Sequence, residues 1–212
     1  MLVLASTSPR RSMLLREAGF TFETVKSTVS EMLPNGMLPK PGVRELAERK
    51  ARAGLEQWLK LGGDSLDVVL GADTMVVLDT RILGKPANPR EAEEMLQGLS
   101  GRNHAVLTGV ALLNGLGKLK TEVIETSVVF RPISAKEIKD YVRSGEPMDK
   151  AGAYGIQGGA KKFVTAIEGS LTNVIGLPME YLMEQLKAWG IKQTNIASRE
   201  VYHGVSASER FT

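Results

Sequence analysis

The sequence predicts an α/β protein built on a mixed β-sheet, and three observations carry that expectation. Segments with helical period alternate along the chain with short apolar runs of strand length. Helix starts are marked chemically, by Ser8-Pro9, Asn88-Pro89 and the pair Ser134 and Glu137. Two long alternating segments, residues 104–113 and 118–130, meet at Asn114-Gly115. That reads as an antiparallel hairpin, which a purely parallel sheet does not contain.

Taken in order, residues 2–5 form a short buried strand. Ser8 then caps a helix with Pro9 in its first turn, running through Leu14, Leu15 and Ala18 to a stop at Gly19. Residues 20–25 alternate as a strand does. Residues 32–42, rich in Pro and Gly, read as a loop, and residues 43–59 as a helix packing through Leu46, Ala47, Leu55, Trp58 and Leu59. A strand at 68–70 is expected to enter a turn at Gly71-Ala72-Asp73-Thr74, with another strand at 75–78. The helix after Asn88 has its apolar face at Ala92, Met95, Leu96 and Leu99, the i, i+3, i+4, i+7 pattern. After the hairpin, Ser134 and Glu137 form a capping box for a helix through Ile138, Tyr141 and Val142. A glycine-rich loop spans 149–158. Two short strands are expected at 163–167 and 172–175, and a last helix from Pro178 to Gly190. One domain is thus expected over residues 1–190. Residues 191–212 lack a convincing period and read as an appended C-terminal tail, for which mobility is the expectation.

The bulk composition narrows the class. At 212 residues the chain can bury a substantial core. A net charge of +3 with both signs interspersed does not predict general nucleic-acid binding, although a local cationic cleft is compatible with it. With no cysteine, neither a disulfide nor a thiolate metal site can form. No apolar run approaches the roughly 18 residues of a membrane span, and no signal-peptide core follows Met1. A cytoplasmic location, with no membrane partner, is the resulting expectation.

Four polar segments carry the chemistry. Gly71-Ala72-Asp73-Thr74 places a carboxylate and a hydroxyl where an apolar strand ends. Ser6-Thr7-Ser8-Pro9-Arg10-Arg11 joins a strand to a helix N-terminus, where free N–H groups and forked arginines suit phosphate oxygens. Gly84-Lys85-Pro86 fixes the backbone around a lysine. The segment from Asp149 to Gly158 ends in Gly155-Ile156-Gln157-Gly158, whose amide matches the imide edge of uracil or thymine. The chain holds neither a Walker loop nor a dinucleotide fingerprint. Asp73 reads as a metal ligand, a general base, both, or a turn aspartate bonded to backbone. Glu31 is a second carboxylate for a divalent ion or a solvated acid, and Lys50 is a helix lysine that is solvated by default. Asp149 and Lys150 read equally as a structural ion pair. His104 reads as a strand residue rather than a ligand, and His203 lies in the tail. Cations beside an isolated acid suggest metal-assisted chemistry on a phosphate.

Together these motifs resemble the Maf family of nucleoside triphosphate pyrophosphatases, with Lys50-Ala51, Leu99-Ser100-Gly101-Arg102, Glu146-Pro147-Met148 and Ile175-Gly176-Leu177-Pro178 adding to the match. The resemblance covers about residues 2–189. It implies an elongated mixed sheet flanked by helices, with two lobes around a deep cleft, akin to the Ham1 and ITPase folds. It implies hydrolysis of a nucleoside triphosphate to monophosphate and pyrophosphate with a divalent cation, Mg²⁺ or Mn²⁺. By that resemblance Asp73 is the proton acceptor, assisted by Lys85; Glu31 and Asp73 face the metal; and Ser6, Arg10, Arg11, Lys50, Thr74 and Gln157 bind substrate. Arg10, Thr74 and Gln157 resemble the specificity positions of the branch preferring dTTP and UTP, with modified pyrimidine triphosphates as further candidates. The expected partner is the nucleoside triphosphate, with neither nucleic acid nor membrane, and a homodimer is possible. The alternative is a nucleotide-binding regulator of septum formation that needs no turnover.

Overall fold

The computed structural model describes residues 1–194. Its elements are β1 (Leu2–Leu4), α1 (Pro9–Glu17), β2 (Phe22–Thr24), α2 (Pro39–Lys60), β3 (Val68–Leu78), β4 (Arg81–Leu83), α3 (Pro89–Leu99), β5 (Asn103–Leu113), β6 (Leu119–Phe130), α4 (Ala135–Arg143), β7 (Val164–Glu168), α5 (Leu171–Ile175) and α6 (Met179–Ala188). Short 3₁₀ turns occupy much of 146–163. The sheet has seven strands in the order β2-β1-β3-β5-β6-β7, with β4 also paired to β3. β1 runs parallel to β2 and β3, and all other pairings are antiparallel. The mixed sheet and the hairpin are therefore as the sequence predicts.

Two of the expected breaks are absent or differ in kind. Gly71-Ala72-Asp73-Thr74 is not a turn: residues 68–78 form one continuous strand, paired to β5 along most of its length. Residues 172–175 are not a strand but most of the short helix α5, started by Ser170, whose hydroxyl accepts from Asn173 N–H at 3.0 Å. α2 also begins earlier than expected, at Pro39 within the segment read as loop. The caps at Asn88 and Ser134 form as predicted, the second as a full capping box.

The two-residue period of β3 sorts the core. Val68, Leu70 and Ala72 point to one face, where they pack with Leu14, Leu15, Leu182 and Leu186 of α1 and α6. Val76 and Leu78, on the same face, join a second core with Leu96, Leu99, Phe130, Ile138 and Phe163. These two cores are the two lobes. Val69, Met75 and Val77 point to the opposite face, which α2 covers. α2 lies unusually close to the sheet because two strand residues are glycine. A Cβ on Gly71 would stand 2.4 Å from Ala47 O, and one on Gly109 would stand 2.4 Å from Val43 O. Gly71 thus serves helix packing rather than a turn.

The sheet is also split. β1 pairs with residues 68–70 of β3, and β4 pairs with residues 76–78. Between them, residues 71–75 have a strand neighbour only on the β5 side. Their other edge opens into a cleft between the lobes.

The described C-terminal end is tied down as far as Thr194. Thr194 N–H donates to Gly19 O at 2.8 Å, and the Gln193 amide donates to Ala18 O at 2.7 Å. The rest of the segment read as a tail, residues 195–212, lies outside the described residues, as does His203.

Candidate active site

The cleft has a volume of about 940 Å³, and all nine residues singled out in the sequence line it: Ser6, Arg10, Arg11, Glu31, Lys50, Asp73, Thr74, Lys85 and Gln157. They come from the β1–α1 loop, the segment before α2, α2 itself, β3, the loop after β4 and the 149–158 loop. The sequence spreads them over 152 positions, and the split in the sheet brings them together.

Asp73 sits on the α2 face of β3 and is buried. The close approach of α2 over Gly71 and Gly109 puts Lys50 directly above it. Lys50 Nζ donates to Asp73 Oδ1 at 2.6 Å and to Glu31 Oε1 at 2.7 Å. The hydrogen bond from Lys50 holds the Glu31 carboxyl below its ordinary value, with the charges of Lys50, Lys85 and Arg11 adding to the effect against a partial desolvation. Two carboxylates thus converge on one cation. Among the described residues no group of three or more His, Asp or Glu side chains converges as a protein-only metal cage. Two carboxylates nevertheless fit a magnesium-type ion, which takes one or two of them and completes its shell with water and substrate phosphate.

Thr74, the next residue, points to the opposite face of the strand and meets Arg11. The Arg11 guanidinium is gripped on three sides: Nε donates to Gly176 O at 3.0 Å, one terminal nitrogen to Ser6 Oγ at 3.3 Å and the other to Thr74 Oγ1 at 3.2 Å. All three partners are neutral. Burial of the guanidinium pulls its pKa below the usual arginine value, Asp73 raising it and Arg10 lowering it further. Part of the residue's surface still faces the cleft. A desolvated cation held by neutral acceptors, with donors left over, is a prepared anion site.

The remaining residues form the rim. Arg10 reaches across to Asp149 at 3.7 Å, joining the two walls. Lys85 and Gln157 are exposed, one on each of two loops that Gly152 N–H ties together by donating to Gly84 O at 3.0 Å. Lys150 donates to Asp149 Oδ1 at 2.6 Å, the structural ion pair that the sequence offered as one reading.

Three supporting residues belong to segments picked out in the sequence, but their roles escaped sequence reasoning. Glu146 accepts from Tyr141 OH at 2.9 Å and from Gly159 N–H at 3.0 Å, bracketing the Gln157 loop. Tyr154 pairs with the buried His104 ring at 2.8 Å, behind the cleft wall. Gly176 supplies its carbonyl to Arg11. Their roles depend on contacts 5 to 165 positions apart along the chain, which no local pattern encodes.

A split mixed sheet whose gap is lined by Arg10, Arg11, Lys50, Lys85 and Lys150, with the carboxylates Glu31, Asp73, Glu146 and Asp149 among them, defines a protein that handles polyanions. The chain belongs to the Maf family: the Maf-like protein model matches residues 1–189. Among its relatives, a dTTP/UTP pyrophosphatase of Desulfitobacterium hafniense (strain Y51) is 55% identical over 205 residues, 97% of this chain and 92% of the relative. That alignment runs past Gly190, into the segment for which the sequence by itself offered no counterpart. A dTTP/UTP pyrophosphatase of Symbiobacterium thermophilum is 48% identical over 189 residues, 89% of this chain and 94% of the relative. Among solved structures, a nucleoside-triphosphatase / dITP/XTP pyrophosphatase from Mycobacterium abscessus superposes with a TM-score of 0.38 at 18% identity, over 62% of this chain and 74% of that one. Among the described residues no helix is long and apolar enough to cross a membrane.

Proposed function

We propose that the protein is a nucleoside triphosphate pyrophosphatase that converts dTTP and UTP to the monophosphate and pyrophosphate. Supporting this reading are the relatives of that name, similar over nearly the whole chain. The observation that carries it is the pairing of a buried carboxylate, Asp73, with Arg10, Arg11, Lys50 and Lys85 around one cleft.

The triphosphate lies along those cations, with the Arg11 fork as its deepest contact. Lys50 leaves Asp73 Oδ1 and turns to a phosphate oxygen, which frees the carboxylate. Asp73 then accepts a proton from water as the water oxygen adds to a phosphorus of the α–β anhydride. The bond from that phosphorus to the bridging oxygen breaks, giving monophosphate and pyrophosphate, and the pyrophosphate is held against Lys85 and Arg10. Glu31 and Asp73 would hold a Mg²⁺ or Mn²⁺ ion, which when bound would neutralise charge building on the leaving group. On the cleft rim, Gln157 offers the donor and acceptor that the pyrimidine imide edge requires. Catalysis of this kind is positioning and electrostatics.

The test is turnover of a nucleoside triphosphate panel with Mg²⁺ or Mn²⁺, scored as pyrophosphate and monophosphate. Wild type is expected to act on dTTP and UTP, and Asp73→Asn to lose about 10²-fold or more. Near-normal turnover by Asp73→Asn removes Asp73 as the base. Nucleotide binding with no release from any triphosphate would replace the enzyme by a nucleotide-responsive regulator.

A further inference from the structure

We propose that Thr108, buried behind the cleft, is a positioning residue for triphosphate binding: it fixes the hydroxyl of Thr74 and through it the pose of Arg11. The proposal rests on the reading above that Arg11 meets the triphosphate.

Thr74 and Thr108 are directly opposed on β3 and β5, on the same face of the sheet. Their hydroxyl oxygens are 3.0 Å apart, and Thr108 is fully buried. A hydroxyl has one proton. Thr108 spends its proton on Asn173 O, a carbonyl that can only accept, at 3.1 Å. Thr108 must therefore accept from Thr74. That commits the Thr74 proton to Thr108 and turns its lone pairs toward Arg11, whose terminal nitrogen donates at 3.2 Å. The result is a chain with one direction, from Arg11 to Thr74 to Thr108 to Asn173 O, in which each bond polarises the next.

The chain ends on a rigid anchor. Asn173 is fully buried, and its amide donates to Val106 O at 3.1 Å, Ile124 O at 3.2 Å and Thr126 Oγ1 at 3.0 Å. The same short segment then supplies Gly176 O to Arg11 Nε. Arg11 is thus referenced to α5 twice, directly by its end and indirectly through two threonines.

This arrangement leaves Thr74 no proton for the carbonyl of a base. Any influence of Thr74 on substrate choice passes through Arg11 and the phosphates instead.

The experiment measures binding of inorganic tripolyphosphate with Mg²⁺ by titration calorimetry, alongside kcat and KM for dTTP and the melting temperature. The variants are Thr108→Val, Thr108→Ser, Thr74→Val and the double Thr74→Val/Thr108→Val. Thr108→Val keeps the shape but removes the hydroxyl. It is expected to weaken tripolyphosphate binding about tenfold and to raise KM accordingly, as loss of an orienting partner does at other sites. Thr108→Ser is expected to restore binding to about twofold of wild type. Because both residues act through one chain, the double variant is expected to be no worse than Thr74→Val alone. Wild-type binding in a folded Thr108→Val, failure of serine to restore it, or losses that multiply in the double variant would each overturn the proposal. So would absence of tripolyphosphate binding by wild type. If Thr108→Val does not fold, the partly exposed Thr74→Val carries the same expectation, and wild-type binding there overturns the chain. The binding readout needs no turnover, so a lack of pyrophosphate release from dTTP would count against the proposed activity and not against the chain.

Discussion

Among the described residues, His104 is the side chain through which lowering the pH from 7 to 5 is expected to remove stability. Its ring is buried on β5, edge-on to Phe130 with centroids 4.9 Å apart and to Tyr154 at 5.4 Å. Nε2 meets Tyr154 OH at 2.8 Å, and Nδ1 has no partner. Burial pushes the imidazole pKa down to about 4. In the unfolded chain it titrates near 6.5. Between these values the unfolded state binds the proton and the folded state does not, so stability falls as pH falls. At about 1.4 kcal/mol per unit, the loss reaches about 2 kcal/mol at pH 5 and levels off near 3 kcal/mol below pH 4. For a chain of this size that is a melting-point drop of about 4–8 °C at pH 5. The carboxylates do not confuse the window. Glu31, depressed by Lys50, and Glu137, depressed to about 2 by Arg131, lose their contribution only as pH falls through and below the ordinary carboxylate range near 4. The assay is urea unfolding at pH 7 and pH 5 for wild type and His104→Phe. The variant keeps a ring but leaves Tyr154 OH unpaired, so it should start about 1–3 kcal/mol lower at pH 7 and change much less between the two pH values. Equal losses in the two proteins would refute the assignment.

Two other expectations follow from the packing. Gly109→Ala drives a Cβ into Val43 O and C of α2, backbone atoms that cannot move alone, and should cost about 1–3 kcal/mol in urea unfolding while lowering turnover by displacing Lys50 from Asp73; a variant as stable and active as wild type would remove the close helix approach as the cause. Arg11→Lys keeps the charge, but a single ammonium cannot reach Gly176 O, Ser6 Oγ and Thr74 Oγ1 together, so KM for the triphosphate should rise about tenfold or more, and an unchanged KM would deny the fork its role.

Where the signals were local, the sequence was readable. Asn88 and Ser134 announce α3 and α4 because a cap is a contact between residues three apart. The four apolar residues of α3 all reach the core, since a 3.6-residue period writes one face into the order of residues. The hairpin turn at Asn114 was legible for the same reason. Gly71 misled because a glycine after an apolar run carries the same local signature whether it makes a turn or admits a helix. Residues 172–175 misled because Thr172, Val174 and Ile175 have strand-like side chains, whereas burial of Asn173 against β5 and β6 and the Ser170 cap favour a helical turn.

By itself the sequence determined the class of fold, most of the helix starts and the set of charged residues that meet in the cleft, because pattern, capping and residue chemistry are properties of short stretches. Its motifs also fixed the family. Only the tertiary structure decided how those residues work together. The gap between β1 and β4 turns the middle of a buried strand into a cleft wall. The alternation of β3 then sends Asp73 to Lys50 on one face and Thr74 to Arg11 on the other, a division set by which strand pairs with which and by how closely α2 approaches through two glycines far apart in the chain.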